Sequence, residues 1–185
     1  MSADTEILLN LQTRPSLPED APFLQALFAA NCTHLGALGL PPAALAALID
    51  QQYGFRRADY QRRFPQARTL IALSSQTPVG QMVVNDDGTT LHIVDIAVVP
   101  SARGCGYGSA LVRQIQSQAR TARREAVTLS VDPMNQVALR LYGALGFEAI
   151  EKHPVQWRMV WRPAPCFGTQ GASADTLSIF TTTKG

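Results

Sequence analysis

LHIVDIAVVP (91–100), followed at once by SARGCGYGSA (101–110), is the stretch on which the reading of this chain turns. In its first half His92, Val94, Ile96 and Val98 fall on one side at period two. Ile93, Asp95, Ala97 and Val99 fall on the other. Both sides are largely apolar, which predicts a central strand covered on both faces. Pro100 cannot donate to a ladder and ends it. Arg103-Gly104-Cys105-Gly106-Tyr107-Gly108 then leads into an apolar helical pattern carried by Leu111, Val112, Ile115 and Ala119. A glycine-dense loop between a buried strand and a helix start aims several backbone N–H groups at one spot. The helix dipole there also favours negative charge, so the stretch has the outline of a phosphate cradle.

Three glycine-loop patterns compete for it. A P-loop ends in Gly-Lys-Ser/Thr, and the loop has no lysine. The dinucleotide fingerprint is half met: Gly104 and Gly106 fit, but Ser109 stands at the third glycine position and residues 100–103 separate strand from loop. The third pattern, Arg/Gln-x-x-Gly-x-Gly/Ala, is met by Arg103, Gly106 and Gly108, and here the sequence resembles the GNAT (Gcn5-related N-acetyltransferase) superfamily. A second segment, SVDPMNQVALRLYGALGFEAI (130–150), is similar to the family's other hallmark: an Asn after the fifth strand, then a helix with a Tyr, ending in Leu-Gly-Phe. Asn135 and Tyr142 are seven residues apart, two helical turns, and so face the same way. The resemblance implies an α/β fold with a mixed, mostly antiparallel sheet of six to seven strands. It also implies a splay between strands four and five, and helices on both faces.

Length and composition agree with one domain, expected over residues 1–162. The chain is 46% hydrophobic and 16% charged, and a net charge of +2 argues against a nucleic-acid stripe or a polybasic membrane anchor. No apolar run approaches a membrane span, and the opening MSADTE is acidic rather than a signal peptide. Three widely spaced cysteines with no metal-binding cluster predict no metal and a reducing cytoplasm. From Pro163 the chain turns small and polar, which predicts a tail outside the core over 163–185. A homodimer is left open.

The remaining elements follow in order. Thr5 to Thr13 alternates as a first strand, ended by Arg14-Pro15. Asp20 is placed to cap a first helix running to about Ala30, with Pro22 in its first turn. A second helical region spans roughly Ala43 to Phe64, with Gly54 expected to break it. Strands two (69–75) and three (79–85) flank the turn Gln76-Thr77-Pro78, and Asp86-Asp87-Gly88 joins strand three to the central strand as a hairpin. That hairpin argues against a dinucleotide fold, which has a helical crossover there. Ala126 to Asp132 forms strand five, Gln136 to Leu145 the last helix, and 147–151 and 155–161 the last strands.

The resemblance implies a chemistry and assigns it to residues. Acetyl-CoA is the cosubstrate, held by backbone groups from Arg103, Gly104, Cys105, Gly106, Tyr107 and Gly108, with Cys105 a spacer and Ser109 adding a hydroxyl. Ile96, Ala97 and Val98 pair with the pantetheine arm, which inserts like a strand into the splay, and Asn135 contacts that arm or simply caps the helix. Tyr142 stands at the position of the general acid that protonates the departing thiolate. His92 stands where several members carry the general base, or else simply fills the strand's half-covered end; Asp95 on the opposite face is a second candidate base or hydrogen-bonds a helix or loop. Helices one and two form the acceptor wall in such proteins, so Tyr53, Arg56, Arg57 and Tyr60 are candidates for an acidic or aromatic group. The residues alone read as a solvated helix face. The acceptor implied is a small-molecule amine or peptide amine. A non-catalytic acyl-CoA-binding sensor or scaffold is the alternative.

Overall fold

The computed structural model describes residues 11–164. Most of the expected first strand, and the tail beyond residue 164 with Cys166, lie outside the described residues. The elements are β1 (Leu11–Pro15), α1 (Ala21–Asn31), α2 (Pro42–Arg63), β2 (Arg68–Ser74), β3 (Thr77–Asp86) and β4 (Thr90–Val98). They continue with α3 (Tyr107–Thr121), β5 (Ala126–Val131), α4 (Gln136–Ala144), β6 (Glu148–Lys152) and β7 (Trp157–Trp161). One seven-stranded sheet runs β1-β2-β3-β4-β5-β7-β6. Its single parallel pair is β4–β5.

The core lies between the sheet and α3. Leu111, Val112, Ile115 and Ala119 recur at helical spacing along α3, and all are buried. They join Met82, Val84, Leu91, Ile93, Val127 and Leu129 of the sheet in one apolar cluster. This layer stabilises the fold by roughly 25 cal/mol per Å² of apolar surface removed from water. At its far end the Arg124 guanidinium takes Asp86 two-pronged, at 2.9 and 3.0 Å. That pins the exit of α3 to the β3–β4 hairpin.

The opposite face is covered by α1 and α2. Phe28 of α1 packs on Tyr53 of α2 at 5.4 Å between ring centroids. Several expectations are corrected here. Helix α2 runs through Gly54 without a break, because an exposed helical glycine costs only about 1 kcal/mol against alanine. Asp20 does not cap α1; its carboxylate accepts from the Leu17 N–H at 2.8 Å and binds both arms of Arg14 at 2.6 and 2.8 Å. The β2–β3 turn sits at Ser75-Gln76, both at positive φ, so that Thr77 and Pro78 already belong to β3. β1 includes Arg14 and Pro15, Pro15 lying on an edge strand where its missing N–H is tolerated.

Two irregularities shape β4. The β3–β4 ladder pairs Val83 with Asp95 but Val84 with Ile93, leaving Val94 as an extra residue. Beyond this bulge the alternation is inverted. The β4–β5 ladder covers only Thr90–Ile93 against Ala126–Leu129, and past it the two strands part. The expected splay is therefore present, and among the described residues no strand pairs with β4 on that side beyond Ile93. No helix among the described residues is long and apolar enough to cross a membrane.

Candidate active site

A cleft of about 620 Å³ opens where β4 and β5 part, between the starts of α3 and α4. Its walls hold Ile96, Ala97, Val98, Arg103, Gly104, Gly106, Tyr107, Gly108, Ser109, Asn135 and Tyr142, residues that two sequence segments had marked separately. Cys105 and His92 are not in its wall.

The loop is built to leave its amides free. Val99 leads into a short 3₁₀ turn, Pro100–Ala102, and Arg103 returns to extended backbone. Gly104 and Gly106 then take φ of +75° and +86°, a region that side-chain-bearing residues rarely adopt. The first helical bond of α3 runs from Ala110 N–H to Gly106 O. Among the described residues the amides of Gly104, Cys105, Gly106, Tyr107, Gly108 and Ser109 have no acceptor. A row of free donors at the positive end of a helix dipole binds anions. Gly108 also allows close packing, since a Cβ there would meet Leu141 Cδ1 at 3.3 Å. Tyr107 is fixed by a 2.8 Å hydrogen bond between its hydroxyl and that of Ser74. Cys105 is exposed in the turn.

On the other wall, the backbone of β4 sorts its groups by strand alternation. Val99 N–H bonds Val79 O at 2.9 Å, so Val99 and Ala97 turn their backbone groups toward β3. Ile96 and Val98 turn theirs toward the gap. Ala97 therefore lines the cleft without offering it a backbone pair. The Asn135 side-chain oxygen accepts from Ala138 N–H at 3.0 Å, capping α4, and among the described residues its Nδ2, at the cleft, has no acceptor. Arg103 reaches back across the loop to Val98 O at 3.4 Å and to the Asn31 side chain. Asn31, at the end of α1, also lines the cleft. No sequence signal marked Asn31, because only the fold brings it 72 positions away to Arg103.

Tyr142 stands in the cleft against Phe147, with ring centroids 5.7 Å apart. Burial pushes its phenol up to about 12, and the negative charge of Asp95 adds to the effect. Its hydroxyl has no hydrogen-bond partner in the described residues and is protonated at neutral pH.

His92 and Asp95 lie on the α1/α2 side of the sheet. His92 stacks on Phe64 at 5.1 Å, and its Nδ1 is 2.9 Å from Thr128 Oγ1. Burial lowers its pKa, helped by Arg158 and Arg63, so the ring is neutral at pH 7. Asp95 is held by Arg56 Nη2 at 2.6 Å and Gln81 Nε2 at 2.9 Å. Burial raises its carboxyl pKa, against the opposing pull of Arg56 and Gln81. Asp95 does bond a helix, as its reading expected, yet not on the face opposite His92: the bulge at Val94 moves it there.

The sequence profile of the Acetyltransferase (GNAT) family matches residues 42–147, more than half of the chain. The chain belongs to the GNAT acetyltransferase family. Solved structures share its fold. The PaiA N-acetyltransferase of Thermoplasma acidophilum, in complex with coenzyme A, superimposes with a TM-score of 0.64 at 14% identity, over 83% of this chain and 99% of that one. An acetyltransferase of Thermus thermophilus gives 0.63 at 18% identity over 84% and 99%. A GCN5-related N-acetyltransferase of Rhodopseudomonas palustris gives 0.59 at 23% identity over 82% and 95%. No curated protein matches the sequence. The matched GNAT region contains the glycine loop, β4, β5 and α4, and so the whole of the cleft apart from Asn31.

Proposed function

We propose that this GNAT chain moves an acetyl group from acetyl-CoA to a primary amine by direct transfer within a ternary complex. One observation carries the reading: the acceptor-free amides from Gly104 to Ser109 lead straight into a strand gap whose far wall holds Tyr142. The free amides fit a diphosphate, and the gap fits an extended arm that pairs with the exposed backbone of Ile96 and Val98.

Acetyl-CoA supplies the acyl group as an activated thioester. The rest falls to the chain. Gly104 to Ser109 bind the diphosphate, with Arg103 at the edge of the loop. A backbone N–H on the open side of β4, already oriented, stabilises negative charge on the thioester oxygen. Asn135 donates Nδ2 toward the arm. Tyr142, protonated at neutral pH, gives its proton to the leaving sulfur. An alkyl ammonium with a pKa near 10 must lose about 3 units' worth of proton affinity at pH 7, about 4 kcal/mol, before it attacks. His92, neutral and on the acceptor side of the sheet, takes that proton through water. A cytoplasmic setting suits this cosubstrate.

The test is release of free thiol from acetyl-CoA across a panel of amines, with calorimetry of coenzyme A alone. Initial rates at varied concentrations of both substrates should intersect, as direct transfer requires. Parallel lines abolished by Cys105→Ser would replace it with a covalent route. Tight coenzyme binding with no amine acetylated would favour the acyl-CoA sensor instead.

A further inference from the structure

We propose that Arg56 is the residue that selects the acceptor, and that it takes a carboxylate: the amine substrate carries an acidic group. The inference rests on the acetyltransferase reading above and adds the class of its second substrate.

Arg56 projects from α2 and is fixed on one edge. Its Nε donates to the Tyr60 hydroxyl at 2.7 Å and its Nη2 to Asp95 at 2.6 Å. The guanidinium lies over the rings of Phe28 and Tyr60, at 5.5 and 5.3 Å from their centroids. Among the described residues Nη1 has no acceptor. A planar fork held this way loses little freedom when the remaining edge binds, and that edge matches a carboxylate. Asp95 is the anchor. Each of its oxygens accepts one side-chain hydrogen bond, from Arg56 and from Gln81, which commits it to orienting Arg56.

The location suits an acceptor. Arg56 lies in the wall shared by two cavities, one of about 490 Å³ between α1, the 33–38 turn and α2, the other of about 340 Å³ between the two helices and strands β2 and β3. Asn31 lines both the larger of these and the cofactor cleft. Asp95 directly precedes Ile96, which lines that cleft.

The charges favour an anion. Arg57 lines the smaller cavity and makes no ion pair among the described residues. Asp59, the single acidic side chain in either lining among the described residues, pairs with Arg62 and Arg63 at 2.7 and 3.3 Å. Phe28, Tyr53, Phe55 and Tyr60 supply apolar surface beside the cation. Cavities of a few hundred Å³ hold small molecules.

The deciding experiment uses acid and amide pairs: glycine, glutamate and phenylalanine against their α-carboxamides as substrates, by thiol release. The N-acetylated forms of the same pairs are titrated into coenzyme A-loaded protein by calorimetry. At least one pair should favour the carboxylate by about tenfold or more in both readouts, the size of a charge-assisted hydrogen bond. Arg56→Lys should erase that preference while leaving coenzyme A affinity within about twofold. Equal binding of acid and amide in every pair, or a preference for the amide, overturns the inference. Because the binding arm needs no turnover, protein that selects carboxylates yet acetylates nothing sinks the catalytic reading and leaves Arg56 assigned.

Discussion

His92 and Asp95, three residues apart on β4, face the same side of the sheet. A regular strand would oppose them; the extra residue at Val94 brings both beneath α1 and α2. The same bulge turns Ile96 into the cleft between β4 and β5. One inserted residue therefore puts His92 and Asp95 on the α1/α2 side and Ile96 in the cleft, all from a single strand.

From this follows a pH dependence. Burial holds the His92 pKa below its ordinary value, so the ring is in its basic form at pH 7 and protonates only on acidification below 6.5. As base it should impose an acid limb on kcat/KM, with activity falling as pH drops through that low value. His92→Gln should lower kcat/KM at pH 7.5 by roughly a hundredfold and flatten the limb. A pH–rate profile checks this; a limb that persists unchanged in the variant would assign the proton to another group.

Tyr142 makes the opposite demand on pH. With its phenol pushed up to about 12 by burial, it keeps its proton across the working range and imposes no basic limb below pH 10. Tyr142→Phe should reduce kcat by roughly a hundredfold while coenzyme A binding stays nearly unchanged, because the ring remains and only the hydroxyl is lost. Rapid-quench measurement of the chemical step, beside calorimetry, separates the two. A variant of full activity would remove Tyr142 from the proposed proton path.

Acid stability should depend on Asp20. Its hydrogen bonds from Arg14 and from the Leu17 amide lower its carboxyl to about 2 from 3.8. The folded carboxylate therefore binds protons less readily than the unfolded one. Its stabilisation is present above pH 3.8 and is lost as pH falls from there toward 2. Asp20→Asn should destabilise the protein at pH 7 and narrow the gap between urea midpoints measured at pH 7 and pH 2.5. Equal losses at both pH values would show that the carboxylate charge is not the source.

Much of this is legible in the amino-acid sequence. Leu111, Val112, Ile115 and Ala119 announce a buried helix by spacing alone, and Gly104 and Gly106 announce a turn that only residues without a Cβ enter easily. Asn135 and Tyr142 share the cleft because two helical turns separate them. The bulge at Val94 was not legible, since counting by twos assumes that no residue is skipped and no glycine or proline marks the place. Nor was the inward turn of Arg56. In sequence it stands among solvent-facing arginines, and only a buried carboxylate 39 positions away draws it in. The unbroken α2 and the left-handed Ser75-Gln76 turn depart from the sequence reading because a single residue's local preference, worth about 1 kcal/mol, is too weak to fix a helix break or a turn position.

Gly80 offers the sharpest mechanical test, and sequence patterning did not single it out. It lies on β3 opposite Val98, just past the irregular pairing of β2 with β3. A Cβ on Gly80 would stand 2.5 Å from Ala97 O and 3.3 Å from Val98 Cα, both backbone atoms that no rotamer change can move aside. Gly80→Ala must therefore push the end of β4 away from β3, toward the gap that Ile96 and Val98 border. Overpacking of this kind costs about 1–3 kcal/mol, which a urea titration would register. The same displacement narrows the cleft, so coenzyme A affinity should fall as well, by roughly tenfold. Gly54→Ala is the control: nothing lies within 4 Å of its added Cβ, and on helical propensity it should stabilise slightly with no effect on the coenzyme. If Gly80→Ala loses stability but keeps full affinity, the strand end yields in some other direction and the β4 edge is not the wall that holds the pantetheine arm.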